Sequence, residues 1–200
     1  MIVVDCVQGS ESWFQARLGI PTASEFATVL AKGRSGGDSK GRRTYMLKLI
    51  GERITGEPAE SYTNAHMDRG KIMEEEARNA YAFMSDSVLV PVGFIRNGDK
   101  GCSPDSLVGG DGLLEIKTKL PHLQIDVLLR DEMPPEHMAQ VQGQIWTAER
   151  EWCEFVSYWP KLPLFVKRIY RDDAYIKILS DAIDSFLFEL IELETKIKAL

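Results

Sequence analysis

The chain has 200 residues, of which 44% are hydrophobic and 27% are charged. This balance is typical of a globular protein and argues against a disordered chain, and the length suits a single domain covering residues 1–200. No apolar run approaches the roughly 18 residues of a membrane span, and the first residues do not resemble a signal peptide, so we expect a cytoplasmic protein that binds no membrane. The three cysteines include no CxxC pair, which disfavours a zinc or iron–sulfur site built on neighbouring cysteines.

The formal net charge of −6 argues against a protein that coats nucleic acid nonspecifically, but the charges are unevenly distributed. Residues 31–53 hold seven cations against two acids, whereas residues 172–200 hold seven acids against three lysines. One interpretation is a basic face that meets a polyanion and an acidic face that stays in solvent. The other interpretation is two ordinary solvated faces, and the charges alone leave both open.

Helices are predicted for the first part of the chain. Residues 22–25, Thr-Ala-Ser-Glu, form a capping-box pattern, which predicts a helix over about 23–32. Residues 32–41 are basic and rich in glycine, which predicts a loop. Apolar residues at helical spacing then predict a helix that ends near Gly56 and another over about 65–83.

Strands are predicted for most of the second part, with one helix inserted and one appended. The strands are a broken segment over 88–95, a short buried strand over 113–117, and two more over 155–159 and 165–170. The helices cover about 136–149 and the C-terminal segment, which Asp172 or Asp173 would cap. This order predicts an α/β or α+β fold with a central mixed sheet flanked by helices.

One pair of short motifs carries chemistry. Pro104-Asp105 is followed ten residues later by Glu115-Ile116-Lys117 on the predicted buried strand. Because side chains alternate along a strand, Glu115 and Lys117 share a face, and Asp105 can add a second carboxylate. Two carboxylates and a backbone carbonyl form a hard-oxygen site suited to magnesium or manganese, and a nearby lysine can help to activate a water. The alternative is an exposed edge strand with a simple Glu–Lys pair.

Four segments in order resemble the phage lambda exonuclease family, the YqaJ-type viral recombinases of the PD-(D/E)xK nuclease superfamily. They are Trp13–Ser24, Arg69–Glu74, Cys102–Asp105 with Glu115–Lys117, and Met138–Gln142. Each segment alone is weak, but all of them in the family's order form a specific pattern. The resemblance implies a restriction-endonuclease-like core.

The resemblance also implies an active site with two Mg²⁺ (or Mn²⁺) ions. Asp105, Glu115 and the backbone carbonyl of Ile116 would hold the metal, and Lys117 would contact the attacking water. Glu74 matches a family carboxylate near the metals, although a solvated helix acid is the alternative interpretation. Gln140 matches a residue that helps to organise the site.

Further matches concern DNA. Arg17, Ser24 and Ser103 correspond to the family's pocket for the terminal 5′-phosphate, and a guanidinium with two hydroxyls suits a doubly charged group. The alternatives are a surface ion pair for Arg17 and helix capping for Ser24. Trp13 is similar to an aromatic residue at the DNA fork, and Arg34 to an arginine that contacts the duplex.

Some residues are left outside the predicted site. Gln142 would face elsewhere on its helix. The three histidines show no metal-ligand spacing, although His66 could lie near Glu74. Between Lys117 and Gln140 the chain is shorter than the family pattern, which leaves its contacts with downstream duplex undefined.

The resemblance implies a 5′-to-3′ exonuclease that digests linear double-stranded DNA, releases mononucleotides and leaves 3′-ended single strands for recombination. It also implies a homotrimeric ring around DNA and a single-strand annealing protein as partner. Two alternatives remain: an endonuclease or resolvase built on the same core, and a catalytically silent scaffold that binds DNA ends.

Overall fold

The computed structural model describes residues 1–33, 36–59 and 65–200, and the side chains of all of these except 65–69 and 71. The helices in these ranges are α1 Glu11–Ala16, α2 Phe26–Leu30, α3 Lys40–Thr55, α4 Ala65–Ser85, α5 Pro121–Arg130, α6 Met138–Thr147 and α7 Asp173–Lys198. The strands are β1 Ile2–Val4, β2 Leu89–Val90, β3 Phe94–Asn97, β4 Lys100–Cys102, β5 Ser106–Val108, β6 Gly112–Thr118, β7 Trp152–Tyr158 and β8 Phe165–Tyr170. Among these helices, none is both long and apolar enough to cross a membrane.

The larger of the two sheets is mixed and has the strand order β2-β5-β6-β7-β8. Strands β6 and β7 are parallel, and the other neighbours are antiparallel. The smaller sheet is antiparallel, with the order β1-β3-β4. Helices pack on both faces of the larger sheet, which confirms the predicted fold class.

Strand β6 lies at the centre of the larger sheet, and its two faces meet different apolar clusters. Leu113 belongs to the main core, together with Phe155 and residues of α2, α3, α6 and α7. Leu114 and Ile116 face a second cluster that includes Tyr81 of α4. Since side chains alternate, Glu115 shares the face of Leu113 and so points towards the main-core side. Burial on both faces is what takes its carboxylate out of solvent.

The two charged segments of the sequence pack against each other. Arg42 of α3 makes two hydrogen bonds to the carboxylate of Glu189 on α7, at 2.8 and 2.7 Å. Arg53 lies 3.3 Å from Glu194. Neither interpretation of the charge pattern is therefore complete, because part of the basic segment neutralises part of the acidic one. Lys40, Arg43 and Lys48 remain exposed on α3.

The predicted capping box is wrong. Thr22 precedes a 3-10 helix, Ala23–Glu25, and its hydroxyl makes no capping hydrogen bond; helix α2 follows and ends at Leu30. The hydroxyl instead has tertiary partners, which are described below. By contrast, the last helix is capped as predicted, because the Asp172 carboxylate accepts a hydrogen bond from the backbone N–H of Tyr175.

Several short elements were not predicted, among them β1, α1, β4 and β5. Strands of three residues carry too little alternation to be recognised, and they exist because longer neighbours pair with them. Helix α5 begins with Pro121 at its first turn, where a missing N–H costs nothing. Its Leu123, Ile125 and Leu129 are largely exposed, so it lacks the pattern of a core helix.

Candidate active site

Glu115 and Lys117 lie on the same face of β6, as the alternation predicts. The carboxylate of Glu115 is almost fully buried, and its Oε1 lies 2.6 Å from Nζ of Lys117. Asp105 immediately precedes β5, which pairs antiparallel with β6, and its N–H donates to the carbonyl of Leu114 at 3.0 Å. Its Oδ2 accepts from the N–H of Ile116 at 2.5 Å. Strand pairing therefore brings the two motifs together, and the alternative of an exposed edge strand is wrong.

Two glutamines of α6 hold the Glu115 carboxylate. Gln140 Nε2 donates to Oε1 at 2.6 Å, and Gln144 Nε2 donates to Oε2 at 2.6 Å. Residues four apart lie on one face of a helix, so the pair clamps both carboxylate oxygens. Gln144 was missed in the sequence, where its spacing of four from Gln140 was the available signal. Gln142 faces elsewhere, as expected, and binds the backbone of Tyr170 and Asp172.

Glu74 of α4 adds a third carboxylate to this region. Burial raises the pKa of Glu74, and the negative charge of Glu115 raises it further, while Arg78 and Lys117 oppose the shift. Arg78 Nη2 lies 2.5 Å from its Oε1. Its interaction with Glu115 and Lys117 places Glu74 near the Asp105–Glu115 pair rather than among the solvated acids of its helix.

The electrostatics of the site favour a bound cation. Burial, followed by the charges of Glu115 and Glu74, raises the pKa of Asp105 well above its usual value. Burial acts to lower the pKa of Lys117, but the surrounding carboxylates raise it overall, so its ammonium stays protonated. Three carboxylates thus lie near Lys117, while Arg78 is paired with Glu74.

The donor set fits Mg²⁺ or Mn²⁺. Gln144 Oε1 is buried beside Glu115 and has no hydrogen-bond partner among the described residues. Within the same ranges, no three His, Cys, Asp or Glu side chains are grouped to hold a metal by themselves. Magnesium is commonly bound by one or two carboxylates, with waters and substrate phosphates completing its ligands. Asp105 and Glu115 suit that mode.

A second group of predicted residues surrounds Trp13. Its Nε1 donates to the hydroxyl of Ser103 at 2.8 Å and to the carbonyl of Gly93 at 3.1 Å. The guanidinium of Arg17 lies over its ring, 4.1 Å from the centroid. Trp13 therefore joins Arg17 to Ser103 and acts as more than a core residue.

Thr22 connects the remaining members. Arg17 Nη2 donates to its Oγ1 at 3.3 Å, and the same hydroxyl lies 3.2 Å from the hydroxyl of Ser24. Ser24 lies inside a three-residue 3-10 helix and is not its cap, so the capping interpretation is wrong for it. Arg17, Ser24 and Ser103 are thus linked through Trp13 and Thr22 into one group of residues, which we call the Arg17 pocket.

Arg17 is a cation without a direct acidic partner. Burial lowers its pKa, although distant Glu25 and Glu52 act in the opposite direction. It forms no ion pair with a carboxylate in residues 1–33, 36–59 or the described side chains from 70 onwards, so the surface ion pair is wrong. A partly buried guanidinium that bonds the Thr22 hydroxyl, with the Ser24 and Ser103 hydroxyls reached through Thr22 and Trp13, is suited to an anion.

Short connections place the Arg17 pocket next to strand β6, which carries Glu115 and Lys117. Ser103 is separated from Asp105 by Pro104 alone. The N–H of Gly101 donates to the carbonyl of Pro21 at 3.1 Å, where residues 21–22 add a parallel bridge to β4. Gln8 Nε2 also binds the carbonyls of Val92 and Pro104.

Two predicted residues are not placed. Arg34 lies outside the described residues, so its predicted contact with duplex DNA stays a prediction. For His66 only the backbone is described.

The mixed sheet with Asp105, Glu115 and Lys117 at its centre is the arrangement expected of a nuclease. The chain belongs to the family of the YqaJ-like viral recombinase domain, whose sequence model matches residues 12–151. This confirms the resemblance found in the sequence.

Solved structures agree with the family. The alkaline exonuclease LHK-Exo of Laribacter hongkongensis is 37% identical, with a TM-score of 0.86, over 95% of this chain and 97% of that one. Its complex with dAMP gives a TM-score of 0.87 at the same identity and coverage. A phage-related exonuclease from Haemophilus somnus is 13% identical with a TM-score of 0.66, over 89% of this chain and 96% of that one, and shows the fold alone. Among curated proteins, no relative matches the sequence.

Proposed function

We propose that this nuclease is a Mg²⁺- or Mn²⁺-dependent 5′-to-3′ exonuclease on linear double-stranded DNA. It would release mononucleotides and leave 3′-ended single strands for recombination by strand annealing. The observation that carries the proposal is the anion pocket of Arg17, Thr22, Ser24 and Ser103, which adjoins the catalytic strand through Pro104. An enzyme that cuts internally has no need of a fixed site for a terminal phosphate.

The relatives support this proposal. LHK-Exo is an alkaline exonuclease and its structure contains dAMP, a mononucleotide. At 37% identity over nearly the whole of both chains, the same type of product is a reasonable expectation here. The core also includes residues from Ala23 to Leu190, which supports one nuclease domain over residues 1–200.

In the proposed reaction, Asp105, Glu115 and the carbonyl of Ile116 would hold the metal. When bound, the metal neutralises phosphate charge and helps to activate a water. Gln140 and Gln144 fix the orientation of the Glu115 carboxylate. Lys117, kept protonated by the carboxylates, contacts the attacking water and stabilises the charge that develops on the phosphate.

The pocket would select the end of the DNA. A terminal 5′-phosphate carries a second negative charge that internal phosphates lack, and the guanidinium of Arg17 can donate two parallel hydrogen bonds to it. The hydroxyls of Ser24 and Ser103 would take further phosphate oxygens. Trp13, beside both Arg17 and Ser103, would meet the first base pair where the strands separate.

The proposal extends to assembly and location. We propose a homotrimeric ring in the cytoplasm, with an annealing protein as partner, in keeping with the description of the family as viral recombinases. Large apolar side chains exposed on α5 and α7, among them Leu129 and Phe188, support self-association. Sedimentation of a strict monomer at native salt would contradict the ring.

The direct test is digestion with Mg²⁺ of a linear duplex carrying either 5′-phosphate or 5′-hydroxyl ends, with a closed circle in the same tube. We expect fast loss of the phosphorylated linear DNA, slower loss of the hydroxyl form and an intact circle. Cutting of the circle would favour the endonuclease. Binding of ends without cutting would favour the silent scaffold.

A further inference from the structure

A second lysine follows the catalytic one on the same face of the sheet. Lys119 lies two residues beyond Lys117, and its N–H donates to the carbonyl of Tyr158 at 3.1 Å, which continues the pairing with β7 past the end of β6. Since side chains alternate, Glu115, Lys117 and Lys119 form one row. The side chain of Lys119 is only 13% exposed.

His137 holds the ammonium of Lys119. The Nε2 atom of His137 lies 2.9 Å from Lys119 Nζ, and its ring stacks on Phe155 with centroids 5.2 Å apart. Because an ammonium can only donate, Nε2 must accept, and the ring proton lies on Nδ1. Burial, helped by Lys119 and Lys117, lowers the pKa of His137 to about 4, which agrees with a neutral acceptor.

The ammonium of Lys119 has one carboxylate within ion-pair distance among the described side chains, and that ion pair is long. Glu136 Oε1 is 3.7 Å from Lys119 Nζ, at the long end of an ion pair, and its side chain is 62% exposed, so solvent weakens the attraction. Of the three ammonium donors, the one towards His137 has a close acceptor among the described side chains. A largely buried cation held by a neutral ring is thus left with donors for an anion.

The surroundings indicate from which side that anion arrives. Lys119 borders a cavity of about 240 Å³ between α5 and the Pro134–Pro135 turn. That cavity also carries the carboxylates of Asp126, Glu132 and Glu136, which would repel a phosphate. The opposite side leads along the strand to Lys117, about 7 Å away at the rise of a β-strand.

We propose that Lys119, positioned by His137, binds the DNA backbone phosphate next to the scissile one. The inference rests on the proposed function, because it assumes that the strand being cut passes Lys117. Lys119 is then a substrate-binding residue and His137 a positioning residue, and neither takes part in the chemistry. The two lysines would meet successive phosphates of one strand.

The test combines variants of the protein with substrates in which one phosphate at a time is neutral. A methylphosphonate replaces each of the first six phosphates of a 5′-phosphorylated duplex, and kcat, KM and the salt dependence of binding are measured. The variants are Lys119→Met, Lys119→Arg and His137→Phe. Lys177→Met, which removes an exposed lysine from α7, is the matched control.

Lys119→Met should raise KM about tenfold with a smaller effect on kcat, and should reduce the slope of log K against log salt by about 0.9. Lys119→Arg should restore most of the affinity, and His137→Phe should lie between the wild type and Lys119→Met. At one substrate position the methylphosphonate should weaken wild-type binding but leave Lys119→Met unchanged. Lys177→Met should behave as wild type throughout.

The proposal is overturned if every methylphosphonate affects Lys119→Met as it affects the wild type, because the lysine then touches none of these phosphates. A lower melting temperature with an unchanged salt slope would show a purely structural lysine. If Lys119→Met does not fold, the same scan with His137→Phe and Lys119→Arg decides.

Failure of the proposed function gives a different result. A wild-type protein that cuts no linear duplex refutes the exonuclease, but the scan can still be recorded by equilibrium binding to the same DNA ends. A position at which the methylphosphonate weakens binding of the wild type and Lys119→Arg but not of Lys119→Met would then still support the phosphate contact.

Discussion

The candidate catalytic residues Asp105, Glu115, Lys117 and Glu74, called the catalytic edge below, and the Arg17 pocket are one proline apart in the chain and carry opposite charge. Asp105, Glu115 and Glu74 leave the catalytic edge with an excess of buried carboxylate. The pocket has a guanidinium that bonds the Thr22 hydroxyl and has no ion pair to any described acid, and the Ser24 hydroxyl lies next to that of Thr22. The first region thus lacks a cation to balance its carboxylates, and the second lacks an anion to balance its guanidinium.

The difference teaches what each region binds. Burial of an uncompensated charge is costly, so both regions are unfavourable for the free protein and improve when a ligand of opposite sign arrives. A metal cation suits one and a phosphate suits the other. If this division is correct, each region can be disabled while the other continues to bind its ligand.

The largest expected effect is on the catalytic edge. Asp105→Asn and Lys117→Ala should each lower the rate of digestion by a factor on the order of 10³ or more, because the groups act as a unit. Mg²⁺ should raise the melting temperature of the wild type but not of Asp105→Asn, since only the native site binds it. Full activity of Lys117→Ala would refute the site.

The next largest effect is on the pocket. Arg17→Ala should slow digestion of 5′-phosphorylated ends by about 10²-fold, in line with the loss of about 2–3 kcal/mol from charge-assisted hydrogen bonds. Ends with a 5′-hydroxyl should be digested at the wild-type rate, and stabilisation by Mg²⁺ should persist. If Arg17→Ala slowed digestion of 5′-phosphate and 5′-hydroxyl ends equally, Arg17 would not bind the terminal phosphate.

Gln140 and Gln144, which hold the Glu115 carboxylate, provide a test of metal binding alone. Gln144→Met should raise the Mg²⁺ concentration for half-maximal activity by about tenfold, because groups that orient a ligand typically affect metal affinity by 10- to 100-fold. Gln140→Met should act in the same direction. Gln142→Met, on the same helix but bonded to Tyr170 and Asp172, is the control and should leave the Mg²⁺ requirement unchanged.

A smaller effect is expected from the indole N–H of Trp13. Trp13→Phe keeps a ring beneath Arg17 but removes the donor to Ser103 and Gly93, and a neutral hydrogen bond contributes about 1 kcal/mol. The preference for phosphorylated ends should fall about fivefold. Trp13→Ala should lose more, because it also removes the contact with the guanidinium. A preference that stays at the wild-type level in Trp13→Phe would show that Ser103 needs no such support.

The smallest effect concerns stability without metal. The pKa of Asp105 is raised in the folded protein, so above the unfolded value of about 3.9 the native state binds more protons than the unfolded state. The free energy of unfolding should therefore fall as the pH rises from about 4 through the folded pKa. Asp105→Asn should flatten this fall. Asp184→Asn, on the exposed side of α7, should leave it in place.

Sequence reasoning predicted that Asp105, Glu115 and Lys117 lie together because the information for this is local. The alternation of a buried strand places Glu115 and Lys117 on one face, and the motif order supplies Asp105. The resemblance to the family placed Gln140 in the site. Gln144 could have been added because residues four apart lie on the same face of a helix.

Features that depend on tertiary contacts were not accessible in the same way. The pattern at residues 22–25 satisfies the rule for a helix cap. In the structure, however, the Thr22 hydroxyl accepts a hydrogen bond from Arg17 and caps no helix. The pairing of Arg42 with Glu189 depends on how α3 packs on α7. Lys119 and His137 are 18 residues apart, and only the folded chain shows that they touch.

The link between Ser103 and Asp105 would fix the distance between the site for the terminal phosphate and the site of cutting. Pro104 between them has a fixed φ, its carbonyl is held by Gln8, and β4 on one side and β5 on the other are paired within their sheets. The distance from the terminal phosphate to the bond that is cut would then be set by the backbone and not by the DNA. The length of each step would then not depend on the sequence of the substrate.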